Sequence, residues 1–416
     1  MTSPLKHATK GRKAGRAQGI LLLIASALPV MGVVLLSPVA HRLPEVLGPG
    51  PDGISLAPIV LTAPALAIAL FSALGGYLAD FYGRRVCLLT ALFVYSFLGT
   101  APLWLDNAYA IIGSRFGLGM AEAVIMASSI ALIGDYFEGP TRDRWVAYMM
   151  AVSALSATFF YIIGGILGGI TWKFPFAAYG MSLIIFLAAV PIIFEPDNPR
   201  RKGSDPVPGK AGRPRGLPLP MIAVLMATFF GSILFYIVPL QMGGFLSARD
   251  VSSSAQIGVL IAIASLGNPL GSFSFRYLRA LPFAPMLVGS TALAGAGLLL
   301  AALWPGVPAL VIGAFINQMG CGILCPLTMA AVLRLAPAHR RGTSGGSWSS
   351  AFFVGQFFSP MVVLYLMSFD IRSGGLMPLV IANAVFAVIA YATFSRMSSR
   401  SLASQDDIGP LPMVKV

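Results

Sequence analysis

The sequence predicts an all-α membrane protein with twelve transmembrane helices. Three observations carry that reading. Of 416 residues, 57% are hydrophobic and only 10% charged, with a mean hydropathy of +0.82. Soluble globular domains hold about 25% charged residues. Apolar runs of roughly twenty residues recur along the whole chain, each long enough for the hydrocarbon core. Finally, Lys and Arg fall almost entirely in alternate connections between those runs. Inside a bilayer only a helix or a closed barrel satisfies its own backbone, and runs of this length are helices.

The expected spans are 17–39, 56–78, 86–105, 108–133, 145–171, 175–194, 219–245, 255–274, 282–303, 307–335, 343–367 and 376–395. Lys6, Lys10, Arg12, Lys13 and Arg16 precede the first one. A signal peptide begins similarly, but this run is long and eleven more follow, so an uncleaved first helix is expected. Residues 195–218 form a Pro-, Gly- and Arg-rich linker between two sets of six spans. The expected units are therefore 1–194, the linker 195–218, 219–395, and a polar tail 396–416.

With the N-terminus inside, 23 Lys and Arg residues are cytoplasmic and four are external: Arg42, Lys173, Arg249 and Arg372. Both termini and the linker are thus expected in the cytoplasm, with a bacterial inner membrane as the location. The net charge of +13 faces anionic lipid rather than nucleic acid. Cys87, Cys321 and Cys325 sit in or at spans without His or carboxylate companions, so neither a metal site nor a disulfide framework is expected. No cofactor is implied, and no nucleophile or metal motif argues for an enzyme.

The tightest connection is G-Y-L-A-D-F-Y-G-R-R, Gly76 to Arg85, between spans 2 and 3. Gly76 is expected to permit close helix approach and Gly83 a turn that most residues resist. Asp80 places an anion beside Arg84 and Arg85 at helix ends. Asp135, Glu138, Arg142, Asp143 and Arg144 follow span 4 and are expected to pair among themselves or with this cluster.

Arg115 and Glu122 are the charges expected deep in the membrane. Each costs about 2.5–3.5 kcal/mol at a span centre, so such residues face the protein interior. Seven apart, they lie about 10 Å along nearly one helix face. Snorkelling of Arg115 to the outer surface and a structural hydrogen bond for Glu122 are the bland alternatives. Span 5 offers Gly164/Gly168 and Gly165/Gly169 as packing faces. In the second half Tyr236, Gln241, Asn317, Gln318 and Gln356, with Asn268, are candidate substrate contacts or interhelical hydrogen bonds. His41 is expected at the external surface and is not read as a ligand.

Gly76, Leu78, Ala79, Asp80, Gly83, Arg84 and Arg85 resemble the helix 2–3 loop signature of the major facilitator superfamily of transporters. Phe81 stands where that family often has a basic residue. The resemblance implies two pseudo-symmetric six-helix bundles about a central cavity, working by alternating access. It implies a latch at Gly76, Asp80, Gly83, Arg84 and Arg85 between the bundles. Arg115 followed by Gly119 resembles the family's helix-4 pattern, associated with proton coupling. The Pro38 and Pro44 ending of span 1 and the later glycines of span 5 resemble the drug–proton antiporter and efflux permease group. In span 5, Phe160 and Gly165 replace that signature's first Gly and its Pro. Gly271 to Arg279 echoes Gly76 to Arg84 in the second half, with Phe275 in place of the Asp. The expected activity is proton-coupled export of small amphipathic molecules by a monomer. Uptake of a nutrient or organic anion, with Arg115 binding an acid group, is the alternative.

Overall fold

The structure, a computed structural model, describes residues 14–48, 55–196, 218–278, 280–336, 341–369 and 376–397. Most of the linker and tail, Arg279, Arg340, Arg372 and the basic residues before position 14 lie outside the described residues. Among those described the chain is helical and has no β-strand.

The helices are α1 (Arg16–Val34), α2 (Leu43–Leu47), α3 (Ala57–Tyr82), α4 (Arg84–Thr100), α5 (Ala108–Tyr136), α6 (Gly139–Ile170) and α7 (Met181–Ile192). They continue with α8 (Leu219–Ser247), α9 (Ser254–Ser265), α10 (Gly267–Leu278), α11 (Phe283–Leu303), α12 (Val307–Leu335), α13 (Arg341–Met367) and α14 (Leu376–Met397). Eleven segments are long and apolar enough to cross a membrane; α3, whose two parts meet at 58°, makes twelve. The chain is an all-α protein with twelve membrane-spanning helical segments, in the order the apolar runs predict.

Local chemistry sets the boundaries. Asn107 caps α5, its Oδ1 accepting from the N–H groups of Tyr109 at 2.8 Å and Ala110 at 3.2 Å. Ser253 caps α9 in the same way. Gly83 adopts φ 108° and ψ 138°, a region that side chains disfavour, and so ends α3 and starts α4 within one residue. α9 and α10 form one span broken at Leu266. The echo of the helix 2–3 loop therefore lies within the end of that span, where Gly271 packs against the Met319 carbonyl of α12.

The two halves touch through small residues at one end. Gly165 of α6 meets Ser254 and Gly258 of α9, and Gly258 meets the Tyr161 carbonyl. Nearby, Gly243 of α8 lies 2.7 Å from the Ser37 carbonyl, measured from an added Cβ. Gly164 faces Leu35 and Gly168 faces Val39 within the first half, Gly168 also bordering Ser254 of α9, whereas nothing approaches Gly169. The expected paired glycine faces thus divide between two partners, and Gly169 serves neither. A further link joins α13 to α3, where the Ser350 hydroxyl donates to the Ala69 carbonyl at 2.9 Å.

Candidate functional site

Arg115 and Glu122 are both fully buried on α5. Arg115 does not reach a membrane surface. Its Nε donates to the Val60 carbonyl at 3.3 Å and one Nη to the Tyr179 hydroxyl at 2.7 Å. The other Nη donates to the Gly32 carbonyl. The guanidinium also lies 5.4 Å from the Tyr179 ring centroid and 6.0 Å from that of Phe176, within cation–π range.

Glu122 comes to the same residue of α1. A Cβ built on Gly32 would meet the Glu122 carboxyl first, with Cδ at 2.9 Å and Oε2 at 3.1 Å. Neither carboxyl oxygen has a hydrogen bond of standard geometry among the described residues, although the Tyr95 hydroxyl stands close beside the carboxyl. Arg115 and Glu122 do not form a direct ion pair; they grip α1 from two sides of Gly32. Tyr95 reinforces the grip, its hydroxyl donating to the Leu28 carbonyl at 2.7 Å. Pro29 lies inside α1 and supplies no backbone donor of its own.

The other face of α1 borders a cavity of about 320 Å³. Pro29, Val30 and Val33 of α1 line it, with Met126 and Ile130 of α5 and Met149, Met150 and Tyr161 of α6. From the second half come Phe235 and Tyr236 of α8, Ser265 of α9, Asn268 of α10, Gln318 of α12, and Phe352 and Phe353 of α13. No charged side chain lines it among the described residues. Glu122 is not a wall residue, yet Met126, one turn further along α5, is.

Of the expected substrate contacts, Tyr236 and Gln318 line this cavity, as does Asn268. Gln241, Asn317 and Gln356 do not. Gln241 donates to the Pro360 carbonyl at 3.5 Å, and Asn317 to the Ala294 carbonyl at 3.2 Å. These two join helices, the alternative the sequence left open. Gln356 is fully buried one turn from Phe352, and its amide has no partner among the described residues.

At the chain's turn between α3 and α4, Arg84 pairs with Asp80 at 3.4 Å and, more closely, with Asp135 of α5. It also donates to the Ala131 carbonyl at 2.9 Å. Arg85 donates to the Ile193 and Val190 carbonyls at 2.7 and 2.9 Å, closing the end of α7. The Glu195 carboxylate accepts the backbone N–H groups of Arg84 and Arg85 at 3.0 and 2.9 Å, capping α4 from across the fold. Among the described residues, the partners of Asp80, Arg84 and Arg85 lie in the first half, save Glu195 at the first position of the linker. A Cβ added to Gly76 would meet nothing within 4 Å; Gly75 instead makes the close approach, an added Cβ there lying 3.1 Å from the Ala123 carbonyl. The close approach expected at Gly76 thus lies one residue earlier. Arg142 pairs with Asp143 at 3.7 Å at the exposed start of α6.

Sequence reasoning missed Tyr95, Tyr179, Tyr161, Glu195 and Gly32. A tyrosine hydroxyl in mid-membrane must find a partner or a cavity, so Tyr95 and Tyr161 carried a readable signal. Glu195 is the first acid after span 6, where a cap for a neighbouring helix could lie. Nothing local marked Gly32.

The conserved sequence pattern of the Major Facilitator Superfamily matches residues 22–279. The chain belongs to the Major Facilitator Superfamily. It is 26% identical over 353 residues to the MFS-type transporter YceJ of Bacillus subtilis, covering 82% of this chain and 87% of that protein. It is 24% identical over 354 residues to the multidrug efflux protein YfmO of the same species, covering 81% and 83%. A tetracycline resistance protein, class G, of Vibrio anguillarum is 32% identical over 168 residues, 39% of this chain and 41% of that one. Among solved structures, a bacterial homologue of the human lysosomal transporter Spinster, inward-facing and occupied, superposes with a TM-score of 0.72 at 18% identity. The match covers 94% of this chain and 99% of that one. At that identity the likeness establishes the fold. Family and fold make this superfamily member a multi-pass membrane transporter.

Proposed function

We propose that the protein exports small amphipathic organic molecules by alternating access, driven by protons that Glu122 takes up and releases. The observation that carries this reading is the placement of Glu122: buried, without a hydrogen bond of standard geometry, pressed on Gly32 of α1, with α1 forming a cavity wall. A charged carboxylate buried in such a place is costly. Protonation removes that cost, so the packing of α1 on α5 depends on the proton. Arg115, bonded to the Gly32 carbonyl, holds α1 while Glu122 changes charge. Export is favoured over uptake by the efflux relatives and by the apolar, uncharged wall. Arg115 has no free face toward the cavity, which argues against its binding an acid group of a nutrient.

In this reading the protein is a monomer of the bacterial inner membrane, with both termini and the linker cytoplasmic and the linker dividing two transport domains. Asp80, Gly83, Arg84 and Arg85, with Gly76, form a latch whose contacts to the second half belong to another state of the cycle.

The test uses cells lacking their own drug exporters and the uncharged dye Nile red. Expression is expected to lower dye retention, a protonophore to restore it, and Glu122→Gln to abolish the effect in normally expressed protein. Raised retention on expression, or an effect indifferent to both protonophore and Glu122→Gln, would overturn the proposal.

A further inference from the structure

The cavity has two unlike sides. Its first-half wall is mostly Pro29, Val30, Val33 and the thioethers of Met126, Met149 and Met150. The serines there are already engaged. Ser26 donates to the Leu23 carbonyl at 2.7 Å, and Ser153 to the Ser26 carbonyl at 3.2 Å. Tyr161 alone adds a hydroxyl with no recorded partner to this side.

The opposite side keeps more hydrogen-bonding capacity. The Tyr236 hydroxyl and the Asn268 amide make no hydrogen bond to the described residues, and both line the cavity. Gln318 donates through Nε2 to the Phe235 carbonyl at 2.9 Å, which leaves its carbonyl oxygen as an acceptor. Charges are set back from the space: Arg115 and Glu122 lie behind α1, and neither lines it.

We infer that the cavity selects uncharged amphipathic molecules: an aryl or alkyl body against the methionine wall, and an amide or hydroxyl end toward Tyr236, Asn268 and Gln318. It discriminates against organic cations and organic anions alike. The inference rests on the transport reading above and names the substrate class of that site. An ion entering here sheds water and meets no counter-charge, whereas a neutral amide finds both donors and acceptors. Thioethers adapt to varied shapes, so the apolar end is loosely specified and the polar end is the discriminating one.

Three probes sharing one two-ring scaffold test this on purified full-length protein: N-benzoyltyramine, uncharged; N-benzyltyramine, a cation; and N-benzoyltyrosine, an anion. Equilibrium binding is measured at neutral pH without any gradient, alongside the ligand-induced rise in melting temperature. N-benzoyltyramine is expected to bind about tenfold tighter than either ion. Tyr236→Phe and Asn268→Leu should each weaken it about three- to tenfold, with little change in the melting temperature of free protein. Phenylalanine preserves the packing of ring 236 on Phe235 and Phe352, so this variant keeps the test valid if the other folds poorly. Equal or tighter binding of either ion, no binding of N-benzoyltyramine, or indifference to the properly folded variants would overturn the inference. Because no proton gradient is present, those outcomes leave the coupling proposal untouched. Conversely, loss of proton-driven export with the binding order intact would sink only the coupling.

Discussion

Gly32→Ala probes the junction of α1 with Glu122, and its effect should change sign with residue 122. In a helix interior, alanine is favoured over glycine by about 0.8–1.0 kcal/mol. Here the new methyl would stand 2.9 Å from Glu122 Cδ and 3.1 Å from Oε2, with Oε1 closer still. Such overpacking costs about 1–3 kcal/mol, so the net effect is a loss of up to about 2 kcal/mol. In a Glu122→Ala background those nearest atoms are gone and only the helix preference remains. There Gly32→Ala should stabilise by up to about 1 kcal/mol. The assay is a double-mutant cycle on reversible unfolding of the purified protein. The expected coupling is about 1–3 kcal/mol, the size seen for residues in contact. Additive effects, or the same sign in both backgrounds, would refute the placement of the carboxyl against Gly32.

Tyr179→Phe removes the hydroxyl that accepts from Arg115 and should cost about 1–3 kcal/mol in unfolding free energy while slowing transport. Asp80→Asn touches a side chain that is 71% exposed, so stability should change by less than about 1 kcal/mol; Asp135→Asn, half-buried on Arg84, should cost more. Both should slow transport and leave probe affinity nearly unchanged; a large loss of affinity with normal exchange rates would contradict the latch. Gly165→Val would intrude on Ser254 and Gly258 where the halves meet, and should increase thiol labelling of cysteines placed at that seam. Single cysteines in the 195–218 linker should be shielded from impermeant reagents in intact cells; external labelling would reverse the topology.

The twelve spans were legible because bilayer thickness fixes the length of an apolar run, and loop Lys and Arg fix its ends. Arg115 and Glu122 stood out because charge in such a run is costly. Their shared target was not legible: Gly32 is an ordinary small residue until α1 and α5 are packed. The faces of the second-half amides were equally hidden. Lipid and protein core are both apolar, so position along a span does not say whether Gln241 or Gln318 meets the cavity. Gly76 fits the family spacing, yet the tight contact falls on Gly75, because helix phase at the bend of α3 decides which glycine faces α5.

Proton coupling through Glu122 is tested most directly in proteoliposomes holding a trapped pH-sensitive dye. An outward gradient of N-benzoyltyramine should drive proton movement in the opposite direction in the wild-type protein, beyond that in protein-free vesicles. Glu122→Gln should pass the compound, detected by radiolabel, without the matching proton flux. Equal proton flux per molecule transported in the wild type and in Glu122→Gln would contradict the account.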